Sequence, residues 1–335
     1  MKKIKIVTVV WDKIYNDLFL EYMVPSLTSK MNLGNKDINK YLEMNIYTGK
    51  SDIEYLNSHE NVKKLRSLVN TRVVGILDNT DEEKFNLVNI AHEMIIHESD
   101  DYDGLIIIYP DSPLSDGAIT NIFNKAQNHG IIYNIVNLRV NIDQARDHIH
   151  LYQNLDGGYS SDSLVNLLLR FPHDIFKSYN GRAPANSNPC ILVWKANPTC
   201  LVCKSIHQYP IYVDKKYLED FKHRYENHKD HIDIYLLRNG YDEDDCYVFT
   251  DSDDIVMIDL TFTDPKDFKL DQIYDRPINR TYHILSTIHS SIHKDLRPLN
   301  KTFILHSTNV KTNVEETIKE AEQFVKNFYI KNKMI

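Results

Sequence analysis

Glycine is scarce in this chain: its 335 residues include only 10, and no two of them stand as Gly-x-Gly. The dinucleotide fingerprint Gly-x-Gly-x-x-Gly and the P-loop Gly-x-x-x-x-Gly-Lys-Ser/Thr are therefore both absent, which excludes two widespread phosphate cradles. Cysteine is scarcer still, at 4, too few for a disulfide framework in a chain of this length. No run approaches the roughly 20 apolar residues of a membrane span. Met1-Lys2-Lys3-Ile4 leads straight into strand-like sequence with no apolar segment and cleavage site behind it. Neither a transmembrane segment nor a signal peptide is expected, and the expected location is cytoplasmic. Basic side chains are outnumbered 39 to 47, giving a net charge of −8. Bulk attraction to nucleic acid is missing, and no aromatic-basic platform supplies a local one, so no nucleic-acid partner is expected.

What the chain does have is core material, with 42% hydrophobic residues and no internal repeat or low-complexity linker. Ile4 to Val10 is a β-branched run of the kind that forms a strand covered on both faces. A helical stretch with Phe19, Met23 and Leu27 follows, which Pro25 should kink or end. Asn45 to Thr48, Arg72 to Leu77, Gly104 to Tyr109 and Ile131 to Leu138 read as further strands. Between them lie helical patterns opened by capping boxes at Ser51-Asp52-Ile53-Glu54 and Thr80-Asp81-Glu82-Glu83, or running from Ser115 or Asp116 to Gly130. This alternation argues for parallel βαβ units, hence an α/β fold. The second half is less regular: a helix near Ser161 to Phe171, a loop-like stretch from Asn180 to Pro189, then short strands at Cys190 to Trp194, Cys200 to Ile206, Cys246 to Thr250 and Ile255 to Leu260. An amphipathic helix opened by Thr312-Asn313-Val314-Glu315 closes the chain. We read residues 1–335 as one continuous domain, 1–140 forming one half and 141–335 an elaborated α+β half with the C-terminal helix.

Three constellations can carry chemistry. In Tyr109-Pro110-Asp111-Ser112-Pro113-Leu114-Ser115-Asp116-Gly117 an apolar strand ends in a carboxylate just before a helix. Open α/β sheets bind ligands in the crevice outside such ends. Asp111 there suits a divalent cation, while Asp111 and Asp116 also suit turn and cap positions. In Cys246 to Asp254, Thr250-Asp251-Ser252-Asp253 holds an Asp-x-Asp. Residues two apart in an extended stretch point the same way, so Asp251 and Asp253 can share one cation, or form an exposed acidic turn. The third constellation is drawn from 15 histidines, among them His148, His150, His173, His207, His283, His289, His293 and His306. No His-Glu-x-x-His occurs. His207, in a strand end that continues Gln208-Tyr209-Pro210, suits an acceptor pocket or a general base. Cys200 and Cys203 form a lone Cys-x-x-Cys with no second pair to complete a zinc site, and fit apolar strand packing. Trp11 stands just after the first strand, where it can stack on a base or pack on a neighbouring helix.

Thr8-Val9-Val10-Trp11, then Leu18 to Tyr22, Pro25-Ser26-Leu27, Ile46-Tyr47-Thr48 and the strand ending in Pro110-Asp111 together resemble the nucleotide-diphosphosugar transferases of the GT-A glycosyltransferase type. The succession of Pro110-Asp111, Ser115-Asp116-Gly117, Leu138-Arg139, His207 to Pro210 and Thr250 to Asp253 resembles a bacterial group within that architecture. The resemblance implies a Rossmann-like mixed sheet flanked by helices, with residues 1–140 as the nucleotide-binding half and 141–335 as the acceptor side. It implies transfer of a sugar from a nucleotide-diphosphate sugar to a glycan or glycolipid acceptor, as in surface polysaccharide synthesis. Carried over by position, Thr8, Val9, Trp11 and Thr48 become donor-binding residues, and Arg139 a clamp on the diphosphate. Asp111 becomes the carboxylate for a Mn²⁺ or Mg²⁺ ion. The motif Asp111-Ser112-Pro113 lacks its second acid. Either one carboxylate serves, the Asp251/Asp253 pair completes the site with Asp253 as a ligand, or the chain works without metal. A base for the acceptor hydroxyl is sought in His207 or Asp251. Two alternatives remain: a metal-dependent hydrolase built on the Asp/His-rich second half, and a non-catalytic scaffold of this type.

Overall fold

The computed structural model describes residues 1–76, 84–97, 101–134, 138–174, 191–205, 210–225, 243–263, 297–307 and 314–331. Its centre is a seven-stranded sheet in the order β10-β5-β9-β4-β1-β2-β3. The strands are β1 (Ile4–Val10), β2 (Leu42–Gly49), β3 (Asn70–Ile76), β4 (Gly104–Ile107), β5 (Ile131–Tyr133), β9 (Pro210–Asp214) and β10 (Cys246–Val248). All neighbours pair in parallel except β9, which runs antiparallel between β4 and β5.

All seven residues of β1 are buried, because alternate side chains face two different cores. Ile4, Ile6 and Val10 meet the helices Ala118–Ala126 and Ser161–Arg170 and the helical segment that follows β1. Val7 and Val9 face the opposite layer, where Ala91, Ile95 and Ile96 of the helix Lys84–His97 pack with Leu218 and Phe221 of the helix Lys215–Tyr225. Full burial of each such side chain stabilises by about 1.5–3 kcal/mol, enough to fix which face each strand presents. The result is an α/β, Rossmann-like mixed sheet flanked by helices, as the sequence leads one to expect.

Two smaller sheets complete the fold. β6 (Leu138–Asn141) pairs in parallel with β11 (Ile258–Thr261). β7 (Ile191–Asn197), β8 (Cys200–Ser205) and β12 (Phe303–His306) form an antiparallel three-stranded sheet. Against the last packs the helix Val314–Lys331, where Phe324 meets Trp194 edge-on with ring centroids 5.7 Å apart. Cys200 and Cys203 point into different cores, as an odd spacing in a strand demands, so they do not face each other.

Some local expectations change. Ile131 to Leu138 is not one strand: β5 stops at Tyr133, and β6 begins at Leu138 in another sheet. Pro25 does not end its helix. A π-helical turn, Phe19–Met23, precedes it and the helix runs on to Leu27. The wider turn relieves the clash of the proline ring with the carbonyl four residues back. The Thr80 and Thr312 capping boxes and the loop from Asn180 to Pro189 lie outside the described residues. Among those described, no helix is long and apolar enough to cross a membrane.

Candidate functional site

The carboxyl ends of β1, β2 and β4 finish together. Val10 pairs with Thr48, and Val7 with Ile107, whose successor Ile108 donates its N–H to the Val7 carbonyl at 3.0 Å. Trp11 directly follows β1, and Asp111 lies in the turn that follows β4, its neighbour in the sheet. Between those strands the connection reverses, with β2 and β3 on one side of β1 and β4 on the other. Such a switch point opens a crevice in a doubly wound sheet. Trp11 is half-buried, its ring 5.2 Å from that of Tyr15. The chain leaves β1 through Asp12, a non-glycine residue at φ 64°, whose Oδ1 accepts from the Lys13 N–H at 2.5 Å. That conformation is uncommon for such a residue and concentrates where geometry is constrained.

Beneath this edge lie polar groups that no described residue satisfies. Thr8 and Thr48 are 1% and 0% exposed, and their hydroxyl oxygens have no hydrogen-bond partner among the described residues. Asn16 donates its amide to Asp52 at 2.9 Å, yet its buried Oδ1 is likewise unmatched. Thr8 and Thr48 share the sheet face of Ile6 and Ile46, whereas Val9 lies on the other. An unsatisfied buried polar atom costs about 1–3 kcal/mol, so three at one sheet end are notable.

On the far side of the crevice the segment after β4 is held by β11. The Asp111 carbonyl accepts from the Leu260 N–H at 2.8 Å. Ser112, fully buried, donates to Asp259 Oδ1 at 2.7 Å and lies 3.5 Å from Asp111 Oδ1. Asp259 is the register partner of Arg139 across the β6–β11 ladder, and residues paired in this way present side chains to the same face. Asp111, Asp259 and Arg139 are all half-buried. A second carboxylate thus reaches the serine of the Asp-Ser-Pro motif from 147 residues away. Sequence reasoning missed Asp259. Its only local signal is a lone acid inside an apolar strand. Asp116 caps nothing: it accepts from Ser29 Oγ at 2.6 Å and from the Met31 N–H at 2.9 Å, while Gly117 takes the cap position at φ 89°.

A separate group forms past β10. Asp251 Oδ1 accepts from the Asp253 N–H at 3.0 Å and lies 3.0 Å from His306 Nε2, which stands 3.6 Å from Asp253 Oδ1. Two carboxylates and an imidazole thus offer ligand atoms all within 4.8 Å of one another, a donor set able to hold a metal ion. Spacing made Asp251 and Asp253 visible. His306 stood in the histidine set, but nothing local tied it to them. His173, 4% exposed, faces the Phe262 carbonyl at 3.2 Å and donates its backbone N–H to Arg139. His207, His283, His289 and His293 lie outside the described residues.

No protein-family model and no curated protein sequence matches the chain. Among solved structures it is similar to 4-diphosphocytidyl-2C-methyl-D-erythritol synthase from Anaerococcus prevotii, with 11% identity, 85% of this chain and 96% of that one covered, and a TM-score of 0.39. It is also similar to residues 1–349 of TarS from S. aureus, with 13% identity, 86% and 72% covered, and a TM-score of 0.41. For that protein in complex with UDP the values are 12%, 87%, 72% and 0.40. Likeness at this level says nothing of activity.

Proposed function

We propose that the protein is a glycosyltransferase that binds a nucleotide-diphosphate sugar at the switch point between β1 and β4 and passes the sugar to a hydroxyl of a glycan or glycolipid. The placement of Trp11 directly after β1 and of Asp111 in the turn that follows the neighbouring β4 carries this reading. An aromatic face and a carboxylate there match the two ends of a nucleoside diphosphate, the base and the cation-bearing phosphates. The unmatched Thr8 and Thr48 hydroxyls and the Asn16 carbonyl oxygen add hydrogen-bonding capacity beneath the same edge. The three are buried, so we assign them to a bound state in which the ligand, or water ordered by it, reaches them.

Transfer leaves negative charge on the departing diphosphate. Asp111, with Asp259 one hydrogen bond away through Ser112, supplies the hard oxygen donors a Mn²⁺ or Mg²⁺ ion takes. Bound there, the ion would act as a Lewis acid on the leaving group. Arg139, on the strand beside Asp259, supplies a planar fork for the same phosphates. A base for the acceptor hydroxyl is still needed. Asp251 commits Oδ1 to the Asp253 N–H and His306. We therefore assign the role to His207, three residues before the point where β9 enters the sheet at its carboxyl edge, with Pro210 opposite Tyr133.

Thermal unfolding with UDP, GDP, CDP or ADP, each with Mn²⁺ or Mg²⁺, tests the reading. One nucleotide at 100 times its Kd should stabilise the chain by about 2.7 kcal/mol, a shift of several degrees. Asp111→Ala should lose it. If no nucleoside diphosphate shifts the transition, the scaffold alternative gains. If Asp111→Ala responds like wild type, the assignment of Asp111 fails.

A further inference from the structure

We propose that Asp251, Asp253 and His306 form a second metal site, apart from the diphosphate crevice, that takes a transition ion such as Mn²⁺ or Zn²⁺ in preference to Mg²⁺. The set is more than an acidic cluster, since its third member is an imidazole only 2% exposed, with Nε2 facing both carboxylates. Donor atoms around a tetrahedral ion with bonds of roughly 2.0–2.1 Å stand about 3.3 Å apart. The observed separations from Nε2, 3.0 and 3.6 Å, bracket that value.

Contacts outside the donor set fix its two halves relative to each other. Ser252, fully buried, accepts the His306 N–H at 3.0 Å and donates to the His306 carbonyl at 3.2 Å. The Ser252 N–H reaches the Ile304 carbonyl at 3.0 Å, and the Ile304 N–H reaches that of Thr250 at 2.8 Å. The imidazole, 55 residues from Asp251, is therefore held in place by backbone pairing and not by the carboxylates alone. Such a preformed frame lowers the ordering cost of binding.

The ligand chemistry sets the preference. Mg²⁺ favours all-oxygen octahedra rich in water, whereas an imidazole nitrogen beside two carboxylates suits Zn²⁺ and Mn²⁺. The location sets the independence. The group follows β10 and pairs with β12, whereas Asp111 follows β4 and is held by β11. Asp111 does not belong to the group. An ion here would tie the end of β10, in the main sheet, to β12, in the three-stranded sheet, and so stabilise the junction of the two.

The test uses the full chain stripped with chelator and free of nucleotide, so its outcome stands apart from that of the glycosyltransferase reading. Titration with Mn²⁺ followed by electron paramagnetic resonance should show a bound ion, displaced by Zn²⁺ but not by equimolar Mg²⁺. Pulsed spectra of that ion should carry nitrogen modulation, which His306→Gln abolishes. Asp253 has a side chain 59% exposed, so Asp253→Asn should leave the metal-free unfolding temperature unchanged while weakening Mn²⁺ by about 10-fold or more. Asp111→Asn should bind Mn²⁺ like wild type. The proposal is overturned if no Mn²⁺ binds without nucleotide, if Mg²⁺ competes equally, or if Asp253→Asn retains full affinity. It is overturned too if Asp111→Asn loses the ion, which would assign it to the diphosphate crevice.

Discussion

At the amino-terminal edge of the central sheet the polar side chains are largely matched, His129 Nδ1 excepted. Lys2 pairs with Asp214 at 2.6 Å, Tyr102 donates to Glu43 at 2.7 Å, and the Lys3 N–H donates to Asp103 at 2.7 Å. Asp245 collects the Gly130 N–H, the Tyr217 hydroxyl and Lys216. A shallow cleft of about 650 Å³ opens there, lined by Lys2, Asp103, Gln127, Asp214, Lys215 and Glu219. Its lysines and acids are largely neutralised by one another. At the carboxyl edge, Thr8, Thr48 and Asn16 bury oxygens that nothing described satisfies. One edge spends its polar groups on the fold. The other keeps them for something else, and for that reason we place the ligand there.

Three substitutions can break or sharpen this contrast. Tyr212 lies buried beneath the matched edge, its hydroxyl between Lys2 Nζ at 3.4 Å and Asp214 at 3.3 Å. Burial, with Asp214 beside it, pushes that phenol well above its usual range. Tyr212→Phe should cost about 1–2 kcal/mol in denaturant unfolding and leave any nucleotide response intact. Thr48→Val does the reverse: removing an unmatched hydroxyl at constant shape should raise stability by about 1 kcal/mol while weakening nucleotide binding. A loss of stability there would mean that the hydroxyl is satisfied after all.

The smallest effect concerns acid. Burial would raise the Asp245 carboxyl, but hydrogen bonds from Lys216, Tyr217 and the Gly130 N–H outweigh it and hold the group below its ordinary 3.8. A carboxylate depressed on folding stabilises at pH above the unfolded value, and that contribution fades as pH falls from about 3.8 through the folded one. Asp245→Asn should therefore lose up to about 1 kcal/mol near neutrality and show a shallower decline below pH 4. An unchanged acid limb would remove Asp245 from the matched set.

The same contrast explains how much could be read beforehand. β1 and β4 were legible because strands covered on both faces are written as unbroken apolar runs. β9 was not: Ile211, Tyr212 and Val213 are a short run, and its insertion against the grain between β4 and β5 is a tertiary fact. β12 escaped for the same reason, and with it the link from His306 to Asp251. Asp111 could be placed at a strand end from spacing alone. Asp259 could not, since only the β6–β11 ladder carries it to Ser112. The chemistry that local pattern misses here is the chemistry assembled by distant pairing.

Gly104 illustrates how tightly β9 is fitted, since a Cβ there would meet the Tyr212 hydroxyl at 2.5 Å and its ring carbons at 2.6 and 2.7 Å. The late arrival of that strand has a consequence during synthesis. When residue 134 leaves the ribosome, β4 and β5 have both been made, yet the strand that joins them lies some 80 residues downstream. Until it emerges, each presents a bare hydrogen-bonding edge to solvent or to a chaperone. Truncations that stop short of residue 214 should accordingly aggregate, however complete their leading strands.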